Sequence, residues 1–102
     1  MVLKPVRIAV YREELARDAG WQSGQVSQRI LLWAGPGLLL PMRRDWERAS
    51  VAQGAISGGV KLKASTDLTP ATLVVVEGRE YVVRGVVLEG DNDWVIYYAK
   101  RV

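Results

Sequence analysis

Val6, Ile8 and Val10 alternate with Arg7, Ala9 and Tyr11. A period of two is the signature of a strand with one buried face. The polar run that follows, Arg12 to Gly20, ends in Asp18, Ala19 and Gly20 and reads as a loop. Ser27 to Ala34 (SQRILLWA) is short, apolar and flanked by Gly24 and Gly35, which predicts a buried strand. Next comes GPGLLLPM, Gly35 to Met42, where Pro36 and Pro41 each lack an amide N–H and discourage a helix before them. Leu38, Leu39 and Leu40 are therefore expected in a loop, where three apolar side chains need something to bury them.

Arg43 to Gln53 (RRDWERASVAQ) has the best helix-forming composition of the chain, with Asp45 as a cap, Gly54 as a stop and Trp46 as its packing anchor. Gly54 to Gly59 reads as a mobile loop, with Gly54, Ser57, Gly58 and Gly59 supplying the freedom. Alternation returns at Val60, Leu62 and Ala64, and Asp67 to Pro70 breaks it. Leu73–Val76, Tyr81–Leu88 and Trp94–Ala99 then read as three strands joined by glycine- and acid-bearing turns at Glu77–Glu80 and Glu89–Asp93, a β-meander. The expected fold is one mainly β domain over residues 1–102, a small antiparallel barrel or meander of about five to six strands with one short helix and long flexible loops. Its core should hold Ile8, Val10, Val60, Leu62, Val74, Val76, Tyr81, Val83 and Ile96.

Composition narrows the chemistry. The 102 residues include no cysteine and no histidine, which removes disulfides, thiolate nucleophiles and the commonest metal ligand. Hydrophobic residues at 49% and charged residues at 25% describe a folded domain. The net charge of +3 comes from 14 basic and 11 acidic residues spread along the chain, a mixed solvated surface. No run approaches the about 20 apolar residues of a membrane span, and Pro5 and Arg7 interrupt any signal-peptide core, so a cytoplasmic site of synthesis is expected.

The motifs that carry chemistry elsewhere are incomplete here. Gly54 and Gly59 have P-loop spacing, but Val60, Lys61 and Leu62 follow where lysine, a hydroxyl and a helix are required. Counting an EF-hand from Asp91 puts Ile96 and Val102 at ligand-critical places, so Asp91–Asp93 reads as a turn. Glu13–Glu14 and Glu77–Glu80 fall in expected solvent-facing loops, and no serine has a histidine to activate it. No catalytic residue, cofactor or metal is expected, and the chain is expected not to be an enzyme. Trp46 beside Arg43, Arg44 and Arg48 is the best local case for contact with nucleic acid.

The run LTPATLVVVEGREYVVRGVVLEGDNDWVIYYAKRV resembles the phage head–tail adaptor family, the head-closure or head–tail joining proteins. The carrying positions are Gly78, Tyr81, Val83, Gly85 and Val86. VRIAVYRE with RDAGWQ, LLWA, RRDWERASVAQG and the Val60–Lys63 strand are similar to the family's earlier elements in order, while Gly35–Met42 is more apolar than the pattern. The resemblance implies a structural subunit, monomeric in isolation, that forms a homo-oligomeric ring in the virion between the portal-side connector and the tail proteins. It implies assembly in the host cytoplasm, with a prophage as one source, retention of packaged DNA, a passage for its exit and transient non-specific DNA contact. The residues expected to meet a neighbour are Leu38, Leu39, Leu40 and Trp46. The competing expectation is a small nucleic-acid-binding barrel using Arg43, Arg44, Arg48, Lys61 and Lys63.

Overall fold

A computed structural model describes residues 3–17, 25–41 and 56–101, with the backbone alone at 15–17 and 25–27. Six strands are present: β1 (Lys4–Arg17), β2 (Gln25–Leu40), β3 (Gly58–Lys63), β4 (Leu73–Val76), β5 (Arg79–Gly90) and β6 (Asp93–Lys100). They close into an antiparallel barrel in the order β1-β2-β3-β6-β5-β4. Closure removes the strand edges that valine-rich segments would otherwise expose. The described residues contain no helix. The helix expected over Arg43–Gln53 lies outside them.

The core follows the alternation. Val6, Ile8, Val10, Val60, Leu62, Val74, Val76 and Ile96 are buried, as are Trp94 and Tyr98. Tyr81 and Val83 are only half-buried and pack on the rim of this cluster. The connection between β3 and β4 closes one end. Leu68, fully buried, is its plug, and the Trp94 indole N–H donates to the Ala64 carbonyl at 3.0 Å to hold the connection down. Asp67 shapes the turn: its Oδ1 accepts from the Thr69 amide at 3.0 Å and from the Thr69 hydroxyl at 2.8 Å.

The two hairpin turns are tighter than the sequence suggests. Glu77 and Gly78 alone join β4 to β5, both at positive φ (51° and 79°), the geometry that matches strand twist. Arg79 and Glu80 already belong to β5. Asp91 and Asn92 turn β5 into β6, with Asn92 at φ 60°, a left-handed position that asparagine tolerates.

Three expectations are corrected. Arg12–Arg17 is not a loop but the far half of β1, paired with Gln25–Ile30 of β2. Leu38, Leu39 and Leu40 are not in a loop either; they pair with Lys61, Val60 and Gly59. Pro36 of β2 and Pro5 of β1 fit because of where their nitrogens point. In an antiparallel strand a residue's N–H and C=O face the same neighbour. The Arg7 carbonyl accepts from the Glu77 amide at 3.0 Å, so Arg7 faces β4 and its partner Pro36 turns its nitrogen away from β1, toward β3. Pro5, two residues before Arg7, points past the end of β4. Neither proline removes a bond from the β1–β2 ladder. Last, Gly58 and Gly59 are not part of a loop: they open β3, buried, opposite Tyr98 and Tyr97. The Ser57 amide donates to the Tyr98 carbonyl at 2.7 Å, and its Oγ accepts the Lys100 amide at 3.0 Å. Gly54 lies outside the described residues.

Candidate functional site: the β2–β3 seam and the β1–β2 arm

β4 is only 4 residues long, and its ladder with β1 ends at Tyr11↔Leu73. Beyond that point β1 and β2 continue as a two-stranded arm, six residue pairs from Arg12↔Ile30 to Arg17↔Gln25. At about 3.3 Å per residue, the arm reaches roughly 20 Å. It leaves the barrel at a bulge, where Val10 pairs with Trp33, Tyr11 pairs with Leu31, and Leu32 has no partner. The extra residue lets Leu32 and Trp33 both pack on the core, while Leu31 is 54% exposed.

Four charges clamp the arm's base. Glu13 Oε1 lies 3.6 Å from Arg29 Nε and 3.1 Å from Arg101 Nη1, and Arg29 also pairs with Glu80 of β5. The Glu13 amide donates to the Thr72 hydroxyl at 2.8 Å. Each ion pair is partly exposed and weak alone. Together they tie β1, β2, β5 and the segment after β6 at one place, which sets the arm's direction more than it adds stability.

The leucine run divides its faces. Leu39 turns inward onto the core, Leu38 points outward at 37% exposure, and Leu40 is half-buried at the strand's end. Of the expected contact residues, only Leu38 therefore offers a clear outward apolar surface; Trp46 lies outside the described residues. So do Arg43, Arg44 and Arg48.

Beside Leu38 the barrel wall opens. The β2–β3 ladder stops at Leu38↔Lys61, where Pro36 has no N–H to continue it. The seam forms a groove of about 440 Å³, lined by Pro5, Trp33, Pro36, Leu38, Lys61 and Lys63 among others. Lys61 is half-buried and has no ionic partner among the described residues. Lys63 is exposed, with Nζ 3.8 Å from Asp93 Oδ1, an oxygen shielded from solvent that accepts no hydrogen bond. A larger hollow of about 630 Å³ on the other side of Pro36, lined by Arg7, Ala9, Ala34 and Val75 among others, offers a single cation, Arg7. Sequence reasoning named Lys61 and Lys63 but not Trp33 as their neighbour. The one local signal was a proline inside an apolar run, which reads equally well as a loop.

Among the described residues there is no cluster of metal-ligating side chains. Buried Tyr98 and half-buried Tyr81 have ring centroids 4.4 Å apart, and burial pushes the Tyr98 hydroxyl's pKa upward, which keeps it protonated. Among the described residues no helix is long and apolar enough to cross a membrane. No family model, curated protein or solved structure matches this chain.

Proposed function

We propose that the chain is a structural subunit of the head–tail junction of a tailed phage, a head-closure adaptor that works by packing and not by catalysis. The carrying observation is a closed barrel with a two-stranded arm standing out from it. A ring subunit needs a rigid body and a projecting element that reaches its neighbour, because heterologous contacts that close by rotation join two different patches of one surface. The arm, with exposed Leu31 near its base, is such an element, and Leu38 on the barrel wall is a second apolar contact. The order of sequence elements shared with the head–tail adaptor family supports the same reading. In the particle the subunit forms a homo-oligomeric ring between the portal-side connector and the tail, retains packaged DNA and lines its exit passage. In isolation it is a monomer.

A second reading, a small nucleic-acid-binding barrel, draws on Lys61 and Lys63 beside the Trp33 ring. Deleting the gene from its phage separates the two. The adaptor reading expects filled heads that fail to join tails and lose their DNA, with rescue from a plasmid copy; normal infectious particles refute it. Under the second reading, purified protein binds DNA at submicromolar Kd with a steep salt dependence.

A further inference from the structure

We propose that the β2–β3 seam is a docking site for an acidic, extended peptide segment of a partner protein, bound as a strand added along β2. This goes beyond the adaptor reading and does not rest on it. Three features of the seam agree on the occupant.

The first is the backbone. Ala34 has the same orientation as Pro36, because its partner Ala9 shares the orientation of Arg7. The N–H and C=O of Ala34 and the C=O of Pro36 therefore face the seam, and β3 offers them no ladder partner beyond Lys61. An added strand satisfies such groups, which is how sheet edges capture extended peptides. The second is charge. Lys61 and Lys63 stand on β3 along the same groove; Lys63 is paired with Asp93, and Lys61 is half-buried with no counter-ion among the described residues. A half-buried cation without a partner costs desolvation that a carboxylate from outside would offset. The third is the apolar lining. Trp33, Pro36 and Leu38 provide a surface for the side chains that alternate with those carboxylates. Aspartate or glutamate at every second position, with aliphatic residues between, matches both lysines and lining. A nucleic-acid strand fits less well, because its backbone has no alternating N–H and C=O groups to pair with Ala34 and Pro36 along the seam.

The test titrates isotope-labelled full-length chain with a short blocked peptide of alternating aspartate and valine, read by amide chemical shifts. A lysine–valine peptide and an oligothymidine serve as the other probes. Shifts confined to Trp33–Leu38 and Lys61–Lys63, with the acidic peptide only, are the expected result. Lys61→Glu with Lys63→Glu should weaken that binding about tenfold or more while the melting temperature holds. Ala34→Pro removes one seam-facing N–H and leaves the β1 ladder intact, so it should abolish binding without unfolding the barrel. Equal binding of the basic peptide, shifts centred elsewhere, oligothymidine binding in place of the peptide, or no shifts at millimolar peptide would each overturn the proposal. Undiminished binding by Ala34→Pro would overturn the strand-addition mode.

Discussion

Replacing Gly37 with alanine places a methyl group where the barrel has no room. An ideal Cβ at Gly37 lies 2.2 Å from Ile8 Cδ1 and 2.8 Å from the Lys61 carbonyl oxygen. Gly37 is opposite Val6, so Ile8 is its diagonal neighbour on the inward face. The Ile8 methyl can rotate aside, but the Lys61 oxygen belongs to the wall and moves only if β3 does. Overpacking of this kind costs about 1–3 kcal/mol. At about 2 kcal/mol, the melting temperature of a domain this size falls by roughly 10 °C. A double-mutant cycle assigns the cost. Ile8→Val alone removes the crowding methyl from a filled core and costs about 1 kcal/mol. If the argument holds, Gly37→Ala with Ile8→Val is less destabilised than the sum of the two changes, because only the clash with the carbonyl remains. Thermal unfolding followed by circular dichroism measures all four proteins. A Gly37→Ala protein that melts with the parent, or strict additivity in the cycle, would refute the β1–β2 register and the inward orientation of Gly37.

Leu68→Ala empties the plug and should lose about 2–5 kcal/mol in denaturant unfolding; a loss below about 1 kcal/mol would mean the β3–β4 connection does not seal the barrel. Leu38→Asn should leave the isolated subunit's melting temperature nearly unchanged, whereas Leu39→Ser should lower it by roughly 5–15 °C, and the reverse order would invert the assigned faces. The Thr69 backbone amide, then its hydroxyl, hold the Asp67 carboxyl below its ordinary pKa. A depressed folded pKa means that this stabilisation is complete above the ordinary value and fades as pH falls through the depressed one. Asp67→Ala should therefore lose stability relative to the parent at neutral pH and converge with it in strong acid; a constant difference across the range would contradict the assignment.

Where alternation was clear, the strands could be read from the sequence: Val6–Val10, Val60–Leu62 and the meander from Leu73 to Ala99 all hold. Two segments failed for physical reasons. Arg12–Arg17 runs past the end of β4 with β2 as its described partner, so no core-facing apolar period marks it, and it looks like a polar loop. In Gly35–Leu40 the glycines and prolines suggested a turn, yet the glycines supply space rather than freedom. The Trp33 ring lies over Gly35, and Ile8 fills the room beside Gly37. Pro36 is tolerated because its nitrogen points at the seam, an orientation set by a hydrogen bond from Glu77, far along the chain. The seam itself was illegible for the same reason: the convergence of Trp33, Lys61 and Lys63 is made by barrel closure.

The arm sharpens the case for assembly. A two-stranded ribbon without a third strand or a covering helix is marginal in water. Beyond Tyr11 the arm has lost β4, and its clamp, Glu13 with Arg29, Arg101, Glu80 and Thr72, acts only at the base. Those exposed ion pairs contribute about 0–1 kcal/mol each, too little to support six pairs of residues reaching roughly 20 Å outward. They are well placed for another task. Arg29 on the arm binds Glu80 on β5, and Arg101 at the end of β6 binds Glu13 on the arm, so the arm's angle to the barrel is coupled to strands on the barrel's other side. A projecting ribbon whose direction is specified, and whose far half has no third strand beside it among the described residues, is suited to completing its packing on a neighbour. In a ring, each subunit's arm would meet that neighbour at the same angle, which is the geometric condition for closure.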